Sequence, residues 1–198
     1  MKTDIREPNE WITMRWIDEQ ESISSGLPRL LHVGDSIANG MSTFLAAQLK
    51  GAFGVDLFAT SKIVCDKDYE SDLALMFSKH EYDVIIFNNG LHGEDVADQL
   101  YAAGLMDVLS WLMEKTGTLY WRSSTPCFGD SSWKERIVDR NRLAQQAAAQ
   151  LDLPVIDCYE VLKDREDLST DNIHFHNEGY EILARQISSA IDCSAVFG

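Results

Sequence analysis

Leu30-Leu31-His32-Val33-Gly34-Asp35-Ser36-Ile37 joins a short apolar run to a helical pattern that continues to Lys50. The run predicts a buried strand, and the Gly-Asp-Ser turn places Ser36 where the strand passes into the helix. At such a turn a serine hydroxyl points out of the carboxyl-terminal edge of a sheet, beside backbone N–H groups that can stabilise an anion. An ordinary strand-to-helix turn uses the same residue types, so the triplet alone does not establish chemistry.

A second motif lies near the other end of the chain, at Asp171-Asn172-Ile173-His174-Phe175. Serine is a poor nucleophile until an imidazole takes its proton, and the imidazole needs a carboxylate to fix its tautomer. Asp171 and His174 are spaced so that one turn can bring the two side chains together. In the alternative interpretation, Asp171 caps the C-terminal helix and His174 packs at its start.

The Gly-Asp-Ser of residues 34–36 and the Asp-x-x-His of residues 171–174 together resemble the Ser-Gly-Asn-His hydrolase superfamily, also called the GDSL esterases and lipases. The resemblance extends over residues 30–191. It implies a serine esterase that cleaves a carboxylic ester, such as a small acetyl group on a carbohydrate or a similar small molecule, without a metal or organic cofactor. Carried over by position, the nucleophile, base and orienting carboxylate are Ser36, His174 and Asp171.

The third motif of that family is usually Gly-x-Asn-Asp, and this chain has a divergent form, Asn88-Asn89-Gly90-Leu91-His92. The register of the glycine places His92 at the oxyanion position. The chemistry of the superfamily instead favours an amide N–H₂ donor from Asn88 or Asn89. We therefore expect an oxyanion hole made of the Ser36 backbone N–H and one of these three side chains.

The second motif of the family, a glycine after the second strand, has no clear counterpart in this chain. A backbone N–H from Ser61 or Lys62 is the candidate replacement, because a backbone donor needs no particular side chain. Ser61 and Thr125 are also candidates for the wall of the substrate pocket, since both follow predicted strands on the same sheet edge as Ser36.

Short apolar runs alternate with longer helical patterns along the chain. The predicted strands are Leu30–Gly34, Val55–Ala59, Asp83–Asn88, Thr118–Ser123 and Pro154–Asp157. The predicted helices are Ile37–Lys50, Glu70–Lys79, Asp95–Lys115, Trp133–Leu151 and Asn177–Ile191. This alternation predicts a three-layer α/β/α domain with a five-stranded parallel sheet in the flavodoxin-like order 2-1-3-4-5. Ligands bind such sheets at the switch point between strands one and three, which places residue 36 and residues 88–92 on opposite sides of one crevice.

Residues 1–28 are predicted to form an N-terminal extension that packs on a hydrolase domain of residues 29–198. The extension carries Trp11, Met14, Trp16 and Ile17 among acidic residues, a spacing that suits one face of a short helix or an irregular arm. These side chains are expected to cover an edge of the sheet or another apolar face. Alternatively, Trp11 or Trp16 forms a subunit contact or a wall of the substrate cleft.

Composition favours a soluble enzyme acting on small molecules. The chain has 198 residues and a net charge of −15, from 32 acidic and 17 basic residues. Without a basic stripe, neither nucleic acid nor an anionic membrane surface is an expected partner. The charged start of the chain lacks the apolar segment of an export signal, which favours the cytoplasm. Four scattered cysteines, without a C-x-x-C spacing, favour reduced thiols.

Two other functions use the same residues or the same fold. Asp171, His174, His176 and His92 offer nitrogen and oxygen ligands for a metal-dependent hydrolase, although an entry into a helix at this point would make the histidines diverge. The second is a non-catalytic carbohydrate-binding domain. Turnover of an activated ester separates the enzyme from the binding domain, and insensitivity to chelators separates the serine triad from the metal.

Overall fold

The computed structural model describes residues 10–16 and 26–191. The strands in these residues are β1 Ile12–Arg15, β2 Arg29–Gly34, β3 Gly54–Thr60, β4 Tyr82–Phe87, β5 Thr116–Arg122 and β6 Val155–Ile156. The helices are α1 Ser36–Gln48, α2 Tyr69–Phe77, α3 Asp98–Met113, α4 Ser131–Gln150 and α5 Asn177–Ala190, with a short 3-10 helix at Glu166–Leu168. No helix in the described ranges is both long enough and apolar enough to span a membrane.

The strands form one sheet in the order β1-β3-β2-β4-β5-β6. Within the series β3-β2-β4-β5-β6, every pair of neighbouring strands is parallel. When these five strands are numbered 1 to 5 along the chain, they have the predicted order 2-1-3-4-5. The predicted α/β fold is therefore confirmed. The hydrogen bond from Asn88 N to Val33 O continues the pairing of β2 and β4 up to the edge where Ser36 lies. The switch point of the sheet is thus at the carboxyl ends of β2 and β4.

Helices cover both faces of this sheet. One apolar cluster joins the sheet to α2, α3 and α4, and a second joins the other face mainly to α1 and α5. Strand β2 lies at the centre, where Leu30, Leu31 and Val33 are fully buried. Burial on both faces explains why β2 is a continuous apolar run without alternation.

The predicted helix or arm around Trp11 is instead a strand. Residues 12–15 pair antiparallel with β3, in a register that places Ile12 opposite Thr60 and Arg15 opposite Leu57. The reason is that β3 presents unpaired backbone groups at the edge of a parallel sheet, and an added strand satisfies them. The expectation that this segment covers an edge of the sheet agrees with this pairing. Ile17 lies outside the described residues.

Two helices that are far apart in the sequence pack closely on one face. Gly40 of α1 lies so near the ring of Tyr180 on α5 that a Cβ at position 40 would overlap the ring. The lack of a side chain at Gly40 lets the helices approach, and Leu183, Ala184 and Ile187 of α5 complete the buried face. This packing brings the start of α1 next to the loop that precedes α5.

Candidate active site

Three side chains from opposite ends of the chain form a continuous hydrogen-bonded chain at the carboxyl edge of the sheet. Ser36 Oγ lies 2.8 Å from His174 Nε2, and His174 Nδ1 lies 2.8 Å from Asp171 Oδ2. With the proton on Nδ1, the imidazole donates to the carboxylate and accepts the serine hydroxyl at Nε2. Ser36 and His174 are half-buried and Asp171 is exposed, so the chain of groups is open to solvent at one side. This is the geometry of a nucleophile, a base and an orienting carboxylate.

The turn after β2 fixes the position of Ser36. Asp35 caps helix α1, because its Oδ1 accepts a hydrogen bond of 2.9 Å from Ile37 N. Ser36 is the first residue of that helix, where a backbone N–H has no partner within the helix. The helix dipole adds partial positive charge at the same point. The nucleophile candidate therefore stands at a site that favours developing negative charge.

A tight turn presents Asp171 and His174 to Ser36. The second carboxylate oxygen of Asp171 accepts backbone hydrogen bonds from His174 N at 2.7 Å and Ile173 N at 3.1 Å. Asn172 has a φ of 72°, in the left-handed region that asparagine tolerates better than most residues. The backbone N–H of His174, opposed by partial burial and helped by the imidazole, lowers the pKa of Asp171 below its ordinary value. The carboxylate is therefore ionised at neutral pH.

Backbone hydrogen bonds anchor this turn on both sides. Thr170 N donates to His174 O at 2.8 Å, and His176 N donates to Leu168 O at 2.8 Å. Phe128 N, in the loop after β5, donates to Asn172 O at 2.8 Å. Helix α5 begins only at Asn177, so Asp171 is not its cap and the alternative of a purely capping role does not fit the structure.

The two asparagines of the third motif hold the sheet edge together. Asn88 Nδ2 donates to Arg122 O at 2.9 Å and to Ser124 Oγ at 3.0 Å, which uses both amide hydrogens. Asn89 Nδ2 donates to Lys62 O at 2.9 Å, and its Oδ1 accepts from Val64 N at 3.1 Å. Both residues are buried. Donation from Asn88 to an oxyanion would thus require the loss of an existing hydrogen bond.

His92 lies on a loop whose backbone carbonyl groups accept hydrogen bonds from buried side chains. Arg140 of α4, which is fully buried, donates to the carbonyls of Gly90, His92 and Gly93. Tyr101 of α3 donates to Asn89 O at 2.6 Å, and its ring lies 4.9 Å below the Arg140 guanidinium. Charge-assisted hydrogen bonds to several carbonyls fix a loop more firmly than contacts with water do. Arg140 and Tyr101 therefore position the half-buried side chain of His92.

Sequence reasoning missed both Arg140 and Tyr101. A signal for Arg140 was present, because Ile137, Arg140, Ala144 and Ala147 follow one another at helical spacing and are all buried. An arginine within an apolar stripe indicates a buried partner, since an unpaired buried charge is costly. The sequence does not show that the partners are backbone carbonyls of a loop about 50 residues earlier.

The two backbone N–H groups that are candidates for the second motif already donate hydrogen bonds. Ser61 N donates to Trp11 O at 3.2 Å, and Lys62 N donates to Thr60 Oγ1 at 3.1 Å. Neither N–H is therefore available for an oxyanion in this structure, contrary to the expectation from the sequence. The hydroxyl oxygen of Ser61 accepts from Trp11 N at 3.0 Å. Ser61 and Thr125, the pocket candidates, are both buried.

A buried cation lies directly beneath the turn that carries Ser36. Arg122 Nε donates to His32 Nε2 at 3.3 Å, and both side chains are fully buried. A Cβ at Gly34 would lie 3.0 Å from Arg122 Nη2, so the glycine makes room for the guanidinium. Burial, followed by the charge of Arg122, holds the pKa of His32 well below its ordinary value. His32 is therefore neutral and serves as an acceptor for Arg122.

The described residues do not form the cluster of ligands that the metal-dependent alternative requires. Within residues 10–16 and 26–191, no group of three or more histidine, cysteine, aspartate or glutamate side chains is arranged to hold a metal ion. His176 is exposed and precedes α5, whereas the neighbouring His174 points to Ser36.

Comparison with known proteins rests on the fold. The sequence matches no family model and no curated protein. An acetyl xylan esterase called AlAXEase matches the structure with a TM-score of 0.70 at 16% identity, over 83% of this chain and 100% of that one. Axe2, an acetylxylan esterase from Geobacillus stearothermophilus, matches with a TM-score of 0.66 at 16% identity, over 84% and 95%. A protein of Parabacteroides merdae named as a GDSL-like lipase gives 0.68 at 16%, over 82% and 94%.

The protein therefore has the α/β fold of the Ser-Gly-Asn-His hydrolases, the GDSL esterases and lipases. The resemblance that the two terminal motifs indicate is confirmed at the level of the fold. At identities of 16%, the likeness shows the fold alone.

Proposed function

We propose that this protein is a serine ester hydrolase that works through an acyl-enzyme. The observation that carries the proposal is the unbroken hydrogen-bonded chain from Ser36 through His174 to Asp171, at 2.8 Å for each link. Ser36 Oγ attacks the ester carbonyl while His174 Nε2 takes its proton. The ionised Asp171 holds the imidazole in the reactive tautomer and stabilises the imidazolium.

The negative charge of the tetrahedral intermediate needs hydrogen-bond donors. The Ser36 backbone N–H at the start of α1 is one, and we assign the second to the side chain of His92. The Asn88 amide is already used, and Asn89 bonds to the loop after β3, whereas the His92 loop is held in place by Arg140. His92 also occupies the position that the glycine register indicates for the donor.

The remaining steps reverse the first. His174 donates its proton to the leaving alcohol as the carbon–oxygen bond breaks, which leaves the acyl group on Ser36. A water then gives a proton to His174 and attacks the acyl carbon, and Ser36 leaves with the proton that His174 returns. These steps use side chains, backbone N–H groups and water.

A small acyl group on a carbohydrate is the proposed substrate. The similar structures AlAXEase and Axe2 are acetylxylan esterases, which makes acetylated sugars the first compounds to test. Ser36 and His174 are only half-buried, so an ester can reach the nucleophile from solvent.

Turnover of p-nitrophenyl esters of increasing chain length, followed by acetylated xylo-oligosaccharides, tests the proposal. Ser36→Ala is expected to lower kcat by about 10³-fold or more while the protein stays folded, because the hydroxyl contributes little packing. Ser42→Ala, which removes another hydroxyl from the same helix, is the matched control and should keep full activity. Wild-type activity in Ser36→Ala would refute the nucleophile. Absence of turnover in the wild type would favour a binding domain, and loss of turnover with a chelator would favour a metal enzyme.

A further inference from the structure

We infer that Trp11, which directly precedes the edge strand β1, forms the acyl-side wall of the active site and restricts it to short acyl groups. The inference rests on the proposed function, since it concerns the substrate of the same nucleophile. It assigns a role to a segment that precedes the hydrolase motifs.

The backbone of Trp11 is locked to the end of β3. Trp11 N donates to Ser61 Oγ at 3.0 Å, and Trp11 O accepts from Ser61 N at 3.2 Å and from Thr60 Oγ1 at 2.9 Å. The backbone N–H and C=O of Trp11 are therefore both hydrogen-bonded to residues at the end of β3, where the second motif of the family usually lies. Such paired bonds define where the side chain starts.

The other end of β1 is tied to the helix that carries the nucleophile. The guanidinium of Arg15 donates to the backbone and side-chain oxygens of Asn39, one turn after Ser36. The strand is thus fixed relative to β3 at its start and to α1 at its end. Its position is set by the same elements that position Ser36.

The ring of Trp11 lies between α1 and the third-motif loop. It packs against a small buried cluster of Ala38, Leu57 and Ala59, of which Ala38 is two residues after Ser36. It also meets His92 edge to face, with ring centroids 6.4 Å apart and planes at 80°. Trp11 therefore contacts both the helix of the nucleophile and the proposed oxyanion donor.

The order of the strands in the sheet indicates which part of the ester faces Trp11. The leaving alcohol must lie beside His174, which protonates it, and the His174 turn is bonded to the loop after β5 through Phe128. The acyl chain then extends away from His174, toward the end of β3 on the other side of β2. Trp11 is docked at that end. An indole there leaves room for an acetyl group and crowds longer chains.

Chain-length profiles of Trp11 variants test the inference. In the wild type, kcat/KM for p-nitrophenyl esters should fall by about ten-fold or more from acetate to butyrate, the range that methylene discrimination in a pocket provides. In Trp11→Ala, the butyrate-to-acetate ratio of kcat/KM should rise by about ten-fold, and in Trp11→Phe by less, because part of the wall remains. Ile12→Ala, at the next position along the chain and 38% exposed, should leave the ratio unchanged.

The outcomes separate this inference from the proposed function. Turnover that Ser36→Ala abolishes, with an unchanged ratio in both Trp11 variants, overturns the role of Trp11 and leaves the esterase intact. If Trp11→Ala does not fold, as judged by circular dichroism, the ratio in Trp11→Phe decides in the same way. A rise of the ratio in Ile12→Ala equal to that in the Trp11 variants would show that loosening of β1, not the indole wall, sets the profile, and would overturn the inference. A wild type without esterase activity overturns both.

Discussion

Tyr101→Phe tests whether the third-motif loop is positioned for catalysis or only for stability. The change removes one hydroxyl, whose bond to Asn89 O is 2.6 Å long and buried, and it keeps the ring beneath Arg140. A buried carbonyl that loses its donor costs about 1–3 kcal/mol, which lowers the Tm of a chain of this size by about 2–4 °C for each kcal/mol. Because the loop carries His92, kcat should also fall by about ten-fold, below the limit of about 10²–10³-fold for complete loss of an oxyanion donor.

Tyr82→Phe is the matched control for this measurement. The Tyr82 hydroxyl donates to Asp56 Oδ2 at 3.0 Å, it is buried, and it lies at the start of β4, the opposite end of the sheet from Ser36. Its loss should reduce the Tm in a thermal melt while kcat on p-nitrophenyl acetate stays at the wild-type value. If Tyr101→Phe behaves in the same way, with a lowered Tm and a kcat within about twofold of the wild type, the positioning role of the loop is refuted.

Two further expectations concern His92 and the buried His32. His92→Ala should lower kcat by about 10²–10³-fold with little change in KM. His92→Asn, which introduces the amide usual in the superfamily, should recover much of this loss. Equal kcat in the wild type and both variants would exclude His92 as the donor. Because the pKa of His32 is depressed, the unfolded chain takes up a proton below about pH 6.5 that the folded protein does not bind. Stability is therefore fully present above that pH and is lost as pH falls, by up to about 1.4 kcal/mol per pH unit from this residue. Urea unfolding between about pH 5 and 7 should give a shallower slope for His32→Gln, and identical slopes would contradict the assignment.

The parts of the structure that the sequence predicts are those set by local pattern. Strand β2 is a continuous apolar run because it is buried on both faces, and the alternation of strands and helices then restricts the topology to very few orders. The Asp171–His174 pair is also local, since one turn forms it. These features require only short stretches of sequence.

The features that the sequence did not predict depend on contacts between distant segments. The edge strand β1 forms on the free edge of β3, and its four residues, although they alternate apolar and polar side chains, are too short a run to identify a strand by themselves. The hydrogen bonds of the Asn88 amide to Arg122 O and Ser124 Oγ could not be predicted from the third motif, because the partners lie at the end of the next strand and in the loop after it. Every residue has a backbone carbonyl, so a hydrogen bond from a remote side chain to that carbonyl leaves almost no trace in the identity of the accepting residue.

The contact between Ser36 and His174 joins residues 138 positions apart. The two are brought together where α1 and α5 meet, at Gly40 and Tyr180, so this contact depends on the docking of α5. A single element can open locally with a smaller free energy than the whole domain. The proposed activity then reports on completion of the fold: a chain in which α5 has not yet packed on α1 contains His174 but does not hold it beside Ser36, and a folded chain whose α5 detaches becomes inert while its sheet remains intact.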